Sequence, residues 1–129
     1  MEKKIKVLVV DDDRRMVKTI CDIMQFKGFE TEQAYCGEEA VEKAKEDGLD
    51  CVLMDLKMPG IDGVETLKII KEMKRDLPVM LMSAYATVEQ TEEAKREGAH
   101  AVLAKPIDIQ ATLLFISQLK ENFSEDPRS

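Results

Sequence analysis

The chain has 129 residues, 44% hydrophobic and 35% charged with no Trp, the length and composition of one soluble globular domain. A formal net charge of −7 argues against sequence-independent nucleic-acid binding and against anionic membranes, both of which need a basic surface. A cationic partner surface, or a site that takes up cations, suits the balance better.

The N-terminus MEKKIKVLVVDDD has an apolar run too short for a signal-peptide core, and it ends in acids. No stretch approaches the ~20 apolar residues of a membrane span, so a cytoplasmic location is expected. Lys4–Val10 reads as the first strand and runs straight into Asp11, Asp12 and Asp13. Val17, Ile20, Cys21 and Met24 then stand at helical spacing, and Gly28 ends that helix. Glu30–Tyr35, ETEQAY, alternates polar residues with little bulk and belongs at a sheet edge. Ala40, Val41 and Ala44 mark a short second helix stopped at Gly48.

Cys51–Met54 is the third strand, followed by Asp55. Val64, Leu67, Ile70 and Met73 predict a third helix that stops before Pro78. Val79–Met82 is the fourth strand, followed by Ser83, and VEQTEEAKRE is a polar fourth helix closed by Gly98. Ala101–Ala104 is the fifth strand, followed by Lys105. Asp108 caps a fifth helix from Ile109 to about Asn122. Residues 1–122 are expected to form the domain, and 123–129 a flexible tail or the start of a linker.

Val7–Val10 of the first strand, and the third, fourth and fifth strands, are continuously apolar, as strands covered on both faces must be. Strand–helix alternation at this spacing predicts right-handed crossovers and a parallel sheet with helices on both faces. With the second strand at an edge, the expected fold is a doubly wound (βα)5 domain of order 2-1-3-4-5, flavodoxin-like. In such a sheet ligands bind outside the carboxyl ends of the strands, where strand order reverses.

Four of the five apolar runs end there in an ionisable or hydroxyl group: Asp11–Asp13, Asp55, Ser83 and Lys105. Taken singly, an acid after a strand is often a helix N-cap, Ser83 a turn residue and Lys105 a solvated lysine. Jointly they are costly, since two unit charges ~4 Å apart repel by about 4 kcal/mol at an effective dielectric near 20. Asp12 and Asp55 in one cleft therefore call for a cation, and hard carboxylate oxygens suit Mg2+ or Mn2+ rather than Zn2+. Acids, a divalent metal, a lysine and a hydroxyl donor are the parts of a phosphoryl site, with Asp55 the better-placed nucleophile.

Cys21, Cys36 and Cys51 are odd in number and widely spaced, which fits buried apolar residues in a reducing compartment better than disulfides or metal ligands. His100 reads as a surface or packing residue.

At these residues the chain resembles the receiver domain of two-component response regulators, the CheY-like superfamily, over about residues 4–122. The most specific segment is DLKMPGIDG, Asp55 to Gly63, with Asp11-Asp12, Ser83-Ala84 and Lys105-Pro106 in register around it. The resemblance implies a signalling phosphoacceptor rather than an enzyme, with Asp55 taking a phosphoryl group from a histidine kinase or phosphotransfer histidine. It implies Mg2+ (Mn2+ possible) bound directly by Asp12, through water by Asp11, and by Asp55 and the Lys57 backbone carbonyl. Ser83 Oγ and the Ala84 amide would hold one phosphoryl oxygen and Lys105 another. A cis Lys105–Pro106 bond is expected, and Asp13 is assigned to helix start.

Many receivers carry an aromatic residue three places before the lysine; here it is Val102, which lacks the ring that swings inward as a switch. Tyr85 lies elsewhere on the rim, and Lys57 occupies the variable position two after Asp55. Together they are expected to shield the aspartyl phosphate and slow its loss. Met16 and Ile23 are surplus apolar residues on the first helix, suited to core packing or to docking a kinase or phosphotransfer partner. The fifth helix is apolar nearly all round, through Leu113, Leu114, Phe115, Ile116, Leu119 and Phe123. That suggests a homodimer or output contact, with switching at the face of the fourth helix, fifth strand and fifth helix. Rival readings are an aspartyl-phosphate hydrolase, whose Asp-x-Asp spacing Asp11 and Asp13 mimic, a flavin carrier, and a receiver-like scaffold that takes no phosphate.

Overall fold

The computed structural model describes residues 4–58 and 60–124, with side chains as far as Leu119. Residues 125–129 of the tail expected at 123–129, Pro59 of the Met-Pro-Gly turn and the side chain of Phe123 lie outside the described residues, while 123 and 124 belong to the last helix. In chain order the elements are β1 Lys6–Val10, α1 Arg14–Phe26, β2 Glu30–Ala34, α2 Gly37–Ala44 and β3 Cys51–Asp55. They continue as α3 Gly63–Met73, β4 Val79–Ser83, α4 Val88–Arg96, β5 Ala101–Ala104 and α5 Ile109–Ser124.

All adjacent strands pair in parallel, in the order β2-β1-β3-β4-β5. The cause lies in the strand sequences. Successive side chains point to opposite faces, so a continuously apolar strand feeds two cores at once. Leu8, Val10, Val52, Met54, Val79 and Leu81 pack with Ala40 and Ala44 of α2, Leu67 and Ile70 of α3, and Ala94 of α4. Val7, Val9, Cys51, Leu53, Met80 and Met82 pack on the other face with Val17, Ile20, Cys21 and Met24 of α1 and with Leu113 and Ile116 of α5. The result is the flavodoxin-like doubly wound arrangement, with the order reversing between β1 and β3.

Strand ends differ from the sequence reading in ways that matter for the site. β3 and β4 each run one residue further, because the pairings Asp55↔Met82 and Ser83↔Ala104 extend the ladder. β1 begins at Lys6 rather than Lys4. β2 stops at Ala34, where the Tyr35 amide turns to donate to Glu39 Oε1 at 3.0 Å. β5 is only half-buried despite its apolar sequence, since it pairs with β4 alone and forms the second sheet edge. α5 continues to Ser124, two residues past the expected end.

Gly28, at φ +96° directly after the α1 C-cap Lys27, supplies the left-handed conformation that stops α1, whereas α2 ends earlier than its pattern suggests, at Ala44, and Gly48 at φ +101° lies in the turn beyond it. Among the described residues no helix is long and apolar enough to cross a membrane.

Candidate functional site

The triple acid after β1 divides into three roles. Asp11 is 1% exposed; its backbone amide continues the β1–β2 ladder to Ala34 O, and its Oδ1 accepts from the Asp13 amide at 3.0 Å. Asp12 is exposed on the rim. Asp13 turns away and caps α1, its Oδ1 accepting from the Met16 amide at 3.1 Å. Arg14, at the helix start, places its guanidinium 3.9 Å over the Tyr35 ring.

β1 and β3 pair with Val10 opposite Met54, so Asp11 and Asp55 leave neighbouring strands side by side. Asp55 is buried, with Oδ1 facing the Lys57 amide at 3.4 Å. From the loop after β5, Lys105 reaches across β4 to both acids. Its Nζ donates to Asp11 Oδ2 at 2.8 Å and lies 3.4 Å from Asp55 Oδ2. The Lys105 amide donates to Ser83 O at 2.9 Å, and the Lys105–Pro106 bond is cis as expected. Ser83 closes the rim, buried, with Oγ accepting from the Tyr85 amide at 3.2 Å. Ala84, Tyr85 and Lys57 are exposed around it, while Val102 packs half-buried against the α2–α3–α4 core.

One carboxylate oxygen from each of Asp11, Asp12 and Asp55 lies within 4.8 Å of the others. Desolvation, then the charge of Asp11, push the Asp55 carboxyl above its ordinary range, and Lys105 only partly offsets them. Asp12 is raised in the same way, by desolvation and by Asp11. Burial disfavours the Lys105 ammonium, but Asp11 and Asp55 outweigh it and hold its pKa above the ordinary value. Three acids against one lysine leave an excess of negative charge on an all-oxygen donor set. That donor set fits a hard divalent cation.

The structure thus brings Asp11, Asp12, Asp55, Ser83 and Lys105 to one crevice, and Asp13 is not among them. His100 lies at the opposite end of β5, where its amide donates to Val79 O and its ring stands 5.5 Å from that of Phe115. The cysteines are free thiols, two buried and Cys36 half-buried. Sequence reasoning missed the Lys105–Asp11 ion pair, formed between residues 94 apart in the chain. It also missed the Arg14–Tyr35 stack. An Arg at a helix start and a Tyr at a strand end are ordinary residues until the fold sets them together.

The response regulator receiver domain profile matches residues 7–116. The chain is 39% identical over 112 residues to the transcriptional regulatory protein ZraR of Escherichia coli K12, covering 84% of this chain and 25% of that protein. It therefore spans about a quarter of the length of that relative. It is 36% identical over 104 residues to sporulation initiation phosphotransferase F of Bacillus subtilis, covering 81% of this chain and 84% of that one. A CheY-like response regulator receiver domain protein from Methanospirillum hungatei superposes with a TM-score of 0.89 at 26% identity, over 96% of this chain and 100% of that chain. The chain belongs to the response regulator receiver domain family of two-component signalling.

Proposed function

We propose that the chain is a phosphoacceptor module in which Asp55 takes a phosphoryl group from a phosphohistidine on a histidine kinase or phosphotransfer protein. The observation that carries this reading is the Asp11–Asp12–Asp55 cluster within 4.8 Å, faced by the Lys105 ammonium. Asp55 Oδ attacks phosphorus, the P–N bond to the donor imidazole breaks, and its electron pair leaves with the imidazole nitrogen. Lys105 is already poised 3.4 Å from Asp55, so it neutralises one developing phosphoryl oxygen without reorganising. Ser83 Oγ gives up its bond from the Tyr85 amide to meet another, beside the Ala84 amide. Asp11, Asp12, Asp55 and the Lys57 carbonyl would hold Mg2+ or Mn2+, which when bound neutralises charge on the transferring group.

Asp11 is pinned by Lys105 and the Asp13 amide while Asp12 stays exposed, which supports Asp12 as the direct metal ligand and Asp11 as the water-mediated one. Half-buried Ile23 on α1 supports donor docking there, whereas Met16 packs against the core of that face. Leu114, 62% exposed on α5, and half-buried β5 support an output or homodimer contact on the α4–β5–α5 face. A histidine kinase or phosphotransfer partner and a cytoplasmic location complete this reading.

The test is Mg2+-dependent labelling by a small phosphodonor. Wild type should incorporate about one phosphoryl group per chain and Asp55→Asn none; equal labelling of both removes Asp55 from its role.

A further inference from the structure

The loop from β3 to α3 carries Lys57, whose carbonyl the proposed metal site needs, so what fixes this loop bears on cation affinity. Its two ends are fastened by backbone. The Leu56 amide donates to Met82 O at 2.8 Å, and the Gly63 amide donates back to Leu56 O at 2.8 Å. At the second fastening Gly63 leaves no room for a side chain, because a Cβ there would lie 2.6 Å from Leu56 O.

At Gly60 and Ile61 the loop is held from α2. Glu38, in the first turn of α2, accepts from the Ile61 amide through Oε1 at 3.3 Å. The same carboxylate lies over Gly60, which sits at φ +81°; a Cβ at Gly60 would be 2.9 Å from Glu38 Oε1. The neighbouring Gly37 lets α2 close onto the loop, since a Cβ there would stand 2.5 Å from Ile61 Cγ1. Apart from the Asp55 contact to the Lys57 amide, Glu38 makes the one hydrogen bond reaching Lys57, Met58, Gly60 or Ile61 from outside the loop, among the described residues.

We infer that Glu38 is a positioning residue for the cation site: its bond to the Ile61 amide, 23 residues away in the chain, fixes the loop that presents the Lys57 carbonyl. The inference rests on the phosphoacceptor reading and deepens it. Glu38 touches neither phosphoryl group nor metal. It acts by removing alternative loop conformations that cannot offer the carbonyl. The Glu38 carboxyl is also held below its ordinary range, first by its own backbone amide and then by that of Ile61, the direction expected of an acceptor engaged by amides.

The requirement is for reach and an acceptor oxygen, not for charge. Glu38→Gln keeps both, Glu38→Asp keeps the charge but shortens the reach, and Glu38→Ala removes both. Partners that orient metal ligands typically account for about 10–100-fold in affinity, and this one is exposed and a step removed, so about three- to tenfold is expected. Mn2+ binding to the full chain is read from the loss of the free-ion EPR signal, alongside thermal unfolding in metal-free buffer. Glu38→Ala and Glu38→Asp should each weaken Mn2+ by that factor, Glu38→Gln by less than twofold, with little change in metal-free melting.

Wild-type affinity in Glu38→Asp overturns the inference, as does a Glu38→Gln variant as weak as Glu38→Asp. A loss of affinity matched by an equal loss of metal-free stability also overturns it, since Glu38 would then be a general stabiliser. Should Glu38→Ala not fold, the Asp and Gln pair decides alone. If wild type itself binds no Mn2+, the metal-dependent reading fails, a result distinct from equal binding by wild type and Glu38→Asp.

Discussion

Lys105→Met removes the ammonium that stands between Asp11 and Asp55 while keeping most of the alkyl stem. The two ion contacts are 2.8 and 3.4 Å, with the Lys105, Asp11 and Asp55 side chains 20%, 1% and 10% exposed. At an effective dielectric near 20 each contact is a gross attraction of about 5 kcal/mol, most of it offset by the desolvation already incurred. Removing one partner of a buried pair typically costs ~3–5 kcal/mol; the partial exposure of Lys105 places the expected loss at about 2–3 kcal/mol at pH 7.5 in metal-free buffer.

The penalty has a definite pH sign. Asp12 and Asp55 already have raised pKa values, and without Lys105 they rise further. A carboxyl raised in the folded state favours folding at low pH, and that contribution is lost as pH rises through its folded pKa. The variant should therefore regain stability relative to wild type as pH falls from neutrality into the range where these carboxyls protonate. Millimolar Mg2+ should restore part of it at pH 7.5, by supplying the missing charge. The assay is urea unfolding followed by circular dichroism, since the chain has no Trp. With a urea slope of roughly 2 kcal/mol/M, the midpoint should fall by about 1–1.5 M. A shift under 0.25 M, or a deficit that does not shrink at low pH, would refute the electrostatic account of the cleft.

Other expectations follow from single contacts. Gly37→Ala sets a methyl against Thr66 Oγ1 and Ile61 Cγ1, and overpacking of this kind should cost about 1–3 kcal/mol in urea unfolding. Asp13→Ala removes the α1 cap and should cost about 1 kcal/mol without lowering Mn2+ affinity; a large loss of affinity would make Asp13 a ligand after all. Cys51 is buried, its thiol pushed up to about 12, and Cys21 is fully buried, so a disulfide reagent should label Cys36 alone in the native state. All three thiols should react in denaturant. Lys57→Asn and Tyr85→Ala should each speed loss of the Asp55 phosphoryl group a few-fold by opening the exposed rim; unchanged lifetimes in both would end the shielding idea.

Much of this was readable in the chain because it depends on local pattern. Val7–Val10, Cys51–Met54 and Val79–Met82 are apolar at every position, which requires cover on both faces and so a doubly wound sheet. The residues that end those strands then fall on one rim, which is why Asp11, Asp55 and Ser83 could be picked out together. Tyr35 and Asp55 show the limit. Whether a residue at a strand end pairs or turns away depends on a neighbour's register, and Met82 held Asp55 in the ladder while Glu39 drew Tyr35 out of it.

The sequence by itself determined the layer order, the crevice and the charge types that line it, since periodicity and strand termini are properties of consecutive residues. Only the tertiary structure decided how the acids divide. Asp11, Asp12 and Asp13 are chemically identical. Asp11 is buried because it continues the ladder into the reach of Lys105, Asp12 faces solvent, and Asp13 meets the Met16 amide. The same holds for Glu38 on the Ile61 amide. Contacts between residues far apart in the chain are set by packing, which fixes distances that no local pattern encodes.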